Sequence, residues 1–236
     1  MVTCMDPVSF LADVLGQLAG ELIVAPEMTI QEKLDAMRPF FQMNLDALPG
    51  ANTLVDDFMM DSIIQHYPKD GKMQSISDTI NELSDLFDVY GSSPHFLIDW
   101  RWHKNIHGDH VNYNQRAIEL YEKNIYNLLD YRCILTEIAE RENTIVRKLC
   151  DNVFEATKKF RKDRQLMYIE AIRSDVTQLA DIACQYSQET ADSLNDFVRG
   201  LDAFISTKPW PLLEKFAAFC GRGTQYLSFI RRHGTT

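Results

Sequence analysis

Apolar residues recur at steps of three and four along most of the chain, which is the period of one buried helix face. In the second half the pattern is unusually long. Tyr121, Ile125, Leu128, Leu135, Ala139, Val146, Leu149, Val153, Ala156 and Phe160 follow a heptad, with Arg132 and Glu142 as polar exceptions. Ile169, Ile172, Val176, Leu179, Ala183, Tyr186, Thr190, Ser193 and Phe197 form a second run. The 91 residues between Gly108 and Gly200 contain neither Gly nor Pro. Seams sustained this far without a helix breaker predict coiled-coil-like helices.

The two seams are out of phase. Continuing the first register beyond Phe160 puts Asp163 and Met167 on the seam, whereas the second register starts at Ile169. Either a stutter in one long helix or a turn near 161–165 accounts for the slip. The turn is the better reading. One helix of about 90 residues would exceed about 130 Å and would need a second chain to bury both seams, whereas a hairpin buries each arm against the other.

The first 90 residues predict shorter helices separated by Pro and Gly. Val8, Leu11, Leu15, Leu18 and Leu22 mark a helix over 8–25, with Asp6 near its start and Pro26 at its end. Thr29 and Glu32 form a capping-box pattern opening a helix over 29–47, which Pro39 is expected to split or kink. Further helices are predicted over 52–66 and about 75–90, with Ser75 or Ser77 near the cap of the latter and Gly91 after it. The tail, with Pro209, Trp210, Pro211 and Phe216, reads as a short helix packing back on the bundle. The expected fold class is therefore all-α. Residues 1–92 form an acidic short-helix region, 93–111 a joint, 112–206 a long antiparallel helical hairpin, and 207–236 a short C-terminal helix.

Composition adds limits. Of 236 residues, 45% are hydrophobic and 25% charged, which suits a folded soluble chain. The net charge of −10 is uneven: −12 over residues 1–100 and +2 over the rest. An acidic first half argues against general nucleic-acid binding. The five cysteines are odd in number and form no CxxC, which predicts free thiols and a cytoplasmic or other reducing compartment. The first residues lack the basic start of a secretory signal, and no run of 18 apolar residues predicts a transmembrane helix.

Three clusters could carry chemistry. His103, His107 and His110 are spaced i, i+4, i+7, a spacing that on a continuous helix can hold Zn2+. Gly108-Asp109 interrupts that helix, so the preferred reading is a polar joint, with Asp109 or Asn112 capping the helix that follows. Asp56-Asp57-Phe58-Met59-Met60-Asp61 places Asp57 and Asp61 one helical turn apart, where two carboxylates can hold Mg2+ against a diphosphate. This six-residue string resembles the aspartate-rich motif of type I terpene synthases, which are all-α. The resemblance implies a Mg2+-dependent enzyme. The family's second metal motif has its nearest counterpart at Asn195-Asp196, followed by Arg199 and Ala203 where Ser or Thr and Glu belong. The bland reading is a solvated acidic helix face. No cofactor is required by either cluster.

The third cluster is Lys158, Lys159, Arg161, Lys162 and Arg164 at the expected hairpin tip. It reads either as solvation of a turn or as a contact for anionic lipid, nucleic acid or an acidic protein surface. A hairpin with few concave features is better suited to holding partners than to enclosing a substrate. The expected function is a non-enzymatic interaction or scaffold protein acting through helical faces and the basic tip. Its partner would be another protein or a second copy of the chain. Two alternatives stand beside it: a membrane-active helical protein, with residues 8–25 lying on a bilayer, and a compact metal-dependent α-helical enzyme.

Overall fold

A computed structural model describes residues 1–64, 73–93, 112–134 and 140–232. Helix predominates, as the periodicity led us to expect, and a small three-stranded sheet accompanies it. The chain forms two compact units, each assembled from segments distant in sequence.

The first unit comprises Met1–Phe10, Lys72–Arg147 and Gly221–Thr236. Strands β1 (Val2–Cys4), β2 (Phe87–Ser93) and β3 (Gln225–Arg231) pair antiparallel in the order β1-β3-β2. Two of these strands correct the helical expectation. The helix α4 (Ile76–Leu83) is capped by Ser75, whose Oγ accepts from the Asp78 backbone, but it stops well before Gly91. Residues 87–93 pair with β3 instead, because Val89 and Leu227 bury into the unit while neighbouring positions face outward. The C-terminal segment, expected as a helix, supplies β3 by the same logic. Helix α5 (Tyr113–Asn124) starts at Asn112, whose Oδ1 accepts from the Gln115 backbone at 2.9 Å. A 3-10 turn follows over Ile125–Leu128.

The expected first arm is thus interrupted, and its polar exception explains where. Asp130 is fully buried and holds Arg132 at 2.6 Å, and residues 129–134 around this pair form turns rather than helix. Close by, the Asn143 side chain accepts from the Tyr126 backbone at 2.9 Å. Gly221 closes the unit. A Cβ there would lie 1.8 Å from the Ser9 carbonyl oxygen, so only glycine fits.

The second unit comprises Leu11–Gly71 and Lys148–Cys220. It holds α1 (Leu11–Ile23), α2 (Ile30–Ala47), α3 (Val55–Phe58), α7 (Leu166–Ala183), α8 (Gln188–Ile205) and the later part of α6 (Glu140–Asp163). The Thr29–Glu32 capping box forms, and α2 runs unbroken through the exposed Pro39. The helix expected over 52–66 is α-helical only to Phe58 and continues as a π-helix over Met59–Ile64.

Helix α6 ends at Asp163, and Arg164 adopts a left-handed backbone with φ of 51°, so the turn falls within 161–165 as the phase slip predicted. Ile169, Ile172, Val176 and Leu179 are fully buried along α7, each stabilising the fold by about 1.5–3 kcal/mol. Helix α7 packs on α8, and Arg173 donates to Asp202 between them. Between these helices Ser187 caps Thr190, so the second arm comprises two helices rather than one. The aromatic tail packs back within the unit: Phe216 stacks near Phe40 and Phe197, and Trp210 lies edge-on to both.

Candidate functional site

Within the first unit, polar groups converge on Asp6. Its carboxylate accepts from the Tyr121 hydroxyl at 2.6 Å and from the Val8 backbone at 3.0 Å. Both side chains are fully buried. Burial pushes the Asp6 carboxyl above the usual carboxylate range, against the pull of these hydrogen bonds, and pushes the Tyr121 phenol well above its ordinary value. Arg147 lies over the Tyr121 ring and donates to Ser75 and Ser77. Cys4 donates to Thr79, and burial raises its thiol pKa. These groups are satisfied by one another, and they tie β1, α4, α5 and α6 into one unit. This is the chemistry of a polar core rather than of an open site.

The second unit carries the stronger candidate, at the turn between α6 and α7. Gln17 and Glu21 sit one turn apart on α1 and so share a face. Arg161 donates through Nε to Glu21 Oε1 at 2.6 Å and through its terminal nitrogen to Gln17 Oε1 at 3.0 Å. Gln17 in turn donates to the Ser62 carbonyl of the π-helix at 3.1 Å. A π-helix leaves backbone groups out of the regular ladder and often marks a functional place. Arg164 lies 3.7 Å from Glu21 Oε2 and over the Phe160 ring at 5.1 Å.

These elements surround a cavity of about 160 Å3. Gly20, Val24, Pro26, Met37, Ile63 and Ile64 give it apolar walls, and Glu21, Lys33 and Arg164 give it charge. Gly20 lets the π-helix come close to α1, since a Cβ there would lie 2.5 Å from Ile63 Cγ2. A concave, mostly apolar site with a few convergent polar groups is the usual form of a ligand pocket.

The five basic residues singled out in the sequence divide into two sets. Arg161 is largely buried against Glu21, Arg164 reaches Glu21 at 3.7 Å while staying half exposed, and Lys158 pairs with Glu155 at 3.3 Å. Among the described residues, Lys159 and Lys162 are exposed and have no carboxylate partner. Leu166 and Met167 follow directly on the turn and are 45% and 58% exposed. The turn therefore offers cations and apolar surface side by side.

Asp57 and Asp61 are both exposed, and the change from α- to π-helix falls between them. Asp56 is held by Arg38 at 3.0 Å in a two-pronged pair. Among the described residues no group of three or more His, Cys, Asp or Glu is placed to hold a metal ion. His103, His107 and His110 lie outside the described residues. No disulfide joins the five cysteines, of which Cys4 and Cys150 are buried and Cys184 is exposed. No described helix is long and apolar enough to cross a membrane.

Gln17, Glu21 and Lys33 were not singled out from the sequence. A glutamate on an amphipathic helix reads as solvated surface, and its partner lies 140 residues away. Comparison of the chain with protein-family models, with curated proteins and with solved structures finds no match.

Proposed function

We propose that this is a non-enzymatic interaction protein that engages an acidic partner protein through the turn between α6 and α7. The observation that carries this reading is the exposure of Lys159 and Lys162 beside Leu166 and Met167. Cations give steering and register towards an acidic surface, and the apolar pair supplies area to bury on contact. Two of the cluster's arginines hold the turn against α1, so the surface is fixed before a partner arrives, and less ordering cost opposes binding.

The test compares proteins recovered with the tagged full-length chain and with two variants, Lys159→Glu/Lys162→Glu and Leu166→Ser/Met167→Ser. A partner that falls by about tenfold or more with both variants is expected, as for loss of about 1.4 kcal/mol. The same proteins recovered at the same level with all three forms would overturn the reading.

A second reading, association with an anionic membrane surface, draws on the same Leu166–Met167 pair. It runs through the turn rather than through α1, whose Leu11, Leu15 and Leu18 are committed to the core. Flotation with phosphatidylserine vesicles tests it. Binding lost in both variants supports it, and no flotation of the unmodified chain removes it.

A further inference from the structure

We propose that the cavity beside the α6–α7 turn binds a small organic carboxylate, with an apolar chain of about four to six carbons. The size follows from the volume. The pocket holds about 160 Å3, close to the roughly 150 Å3 that accommodates a benzene-sized molecule.

The charge follows from the lining. Glu21 already accepts from Arg161 at 2.6 Å and lies 3.7 Å from Arg164, so two guanidinium groups face this one carboxylate. Lys33 also lines the cavity, is half-buried, and among the described residues has no carboxylate partner. Among the described residues, the two lining cations and Arg161 thus outnumber Glu21 beside walls of Val24, Met37 and Ile63. A cation at the edge of an apolar wall is best satisfied by an anion whose tail covers that wall.

The Arg164 guanidinium is held in advance by the Phe160 ring and by Glu21, which lowers the cost of ordering it around a ligand. Carboxylate fits better than phosphate. Both anions match a guanidinium fork, but the apolar walls offer nothing to the further oxygens of a phosphate. This inference goes beyond the surface role of the turn, and its test needs no protein partner.

The test uses the full-length chain with methionine methyl groups labelled for NMR, titrated with butyrate, hexanoate and 1-hexanol. A saturable shift of the Met37 methyl is expected with hexanoate, and 1-hexanol should bind about tenfold more weakly, as for loss of one charge-assisted contact. Lys33→Met should weaken hexanoate by about the same factor and leave 1-hexanol unchanged. Val24→Trp, which fills the cavity, should abolish both. If that variant does not fold, the hexanoate-to-hexanol ratio and its loss in Lys33→Met still decide the matter. No saturable Met37 shift, equal binding of hexanoate and 1-hexanol, or an unchanged ratio in Lys33→Met would overturn the proposal.

Discussion

Arg161 Nε donates to Glu21 Oε1 at 2.6 Å, and this bond fixes the end of α6 to the face of α1. Only 16% and 9% of the two side chains are exposed. A pair this buried gains little over apolar residues of the same shape, but breaking it strands a charge. Arg161→Met should therefore destabilise the protein by about 2–4 kcal/mol. Glu21→Met/Arg161→Met should cost clearly less than Arg161→Met alone. Chemical denaturation of the two variants checks this. Equal losses would mean that the pair does not act as a unit.

The Tyr121 hydroxyl that donates to Asp6 makes a second long-range tie, across 115 residues of sequence. Tyr121→Phe removes that donor and little else. We expect a loss of about 1–3 kcal/mol, because a buried carboxyl oxygen is left short of a partner. A change within about 0.5 kcal/mol, typical of surface positions, would show that the Val8 backbone and the neighbouring charge suffice.

The raised pKa of Asp6 gives a pH dependence of definite sign. The folded state holds the Asp6 proton to a higher pH than the unfolded chain does. The stability this contributes is fully present below the unfolded pKa and is lost as pH rises through the folded pKa. Asp6→Asn cannot ionise and lacks that loss. Measured by denaturant midpoint, the unmodified protein should therefore lose stability relative to Asp6→Asn as the pH is raised from near 4. Parallel curves would show that Asp6 titrates alike in the folded and unfolded states.

Gly221 and Gly91 separate close approach from mere presence of glycine. Adding a methyl group at Gly221 meets the Ser9 carbonyl at 1.8 Å, whereas at Gly91 nothing lies within 4 Å. Gly221→Ala should cost about 1–3 kcal/mol or more, and Gly91→Ala should fall within about 0.5 kcal/mol. Thermal unfolding of the two variants compares them directly. Equal effects would contradict the packing of Gly221 on Ser9.

Much of the helical content was legible because it is written locally. The Thr29–Glu32 box, the Ser75 and Asn112 caps and the phase slip before Ile169 all sit within a few residues of the feature they specify. The strands were not legible, because β2 exists through its pairing with β3 and neither segment shows sustained alternation by itself. The break in the first arm holds the buried Asp130–Arg132 pair, which a heptad count records only as an exception, and the break in the second holds the Ser187 cap, which falls inside an unbroken three-and-four pattern. The site followed the same division. A run of five bases stood out at once, but its inward half is defined by Gln17 and Glu21, whose role appears only when α1 is brought against the turn.

The role proposed for the α6–α7 turn is to meet a partner protein in the cell. The most direct measurement places a photoreactive residue at Met167 of the full-length chain and identifies what it joins on irradiation in its native cells. One defined protein adduct is expected, carrying an acidic surface at the joined residue and lost when Lys159→Glu/Lys162→Glu is added. Absence of any adduct, or an adduct indifferent to those two charges, would contradict it.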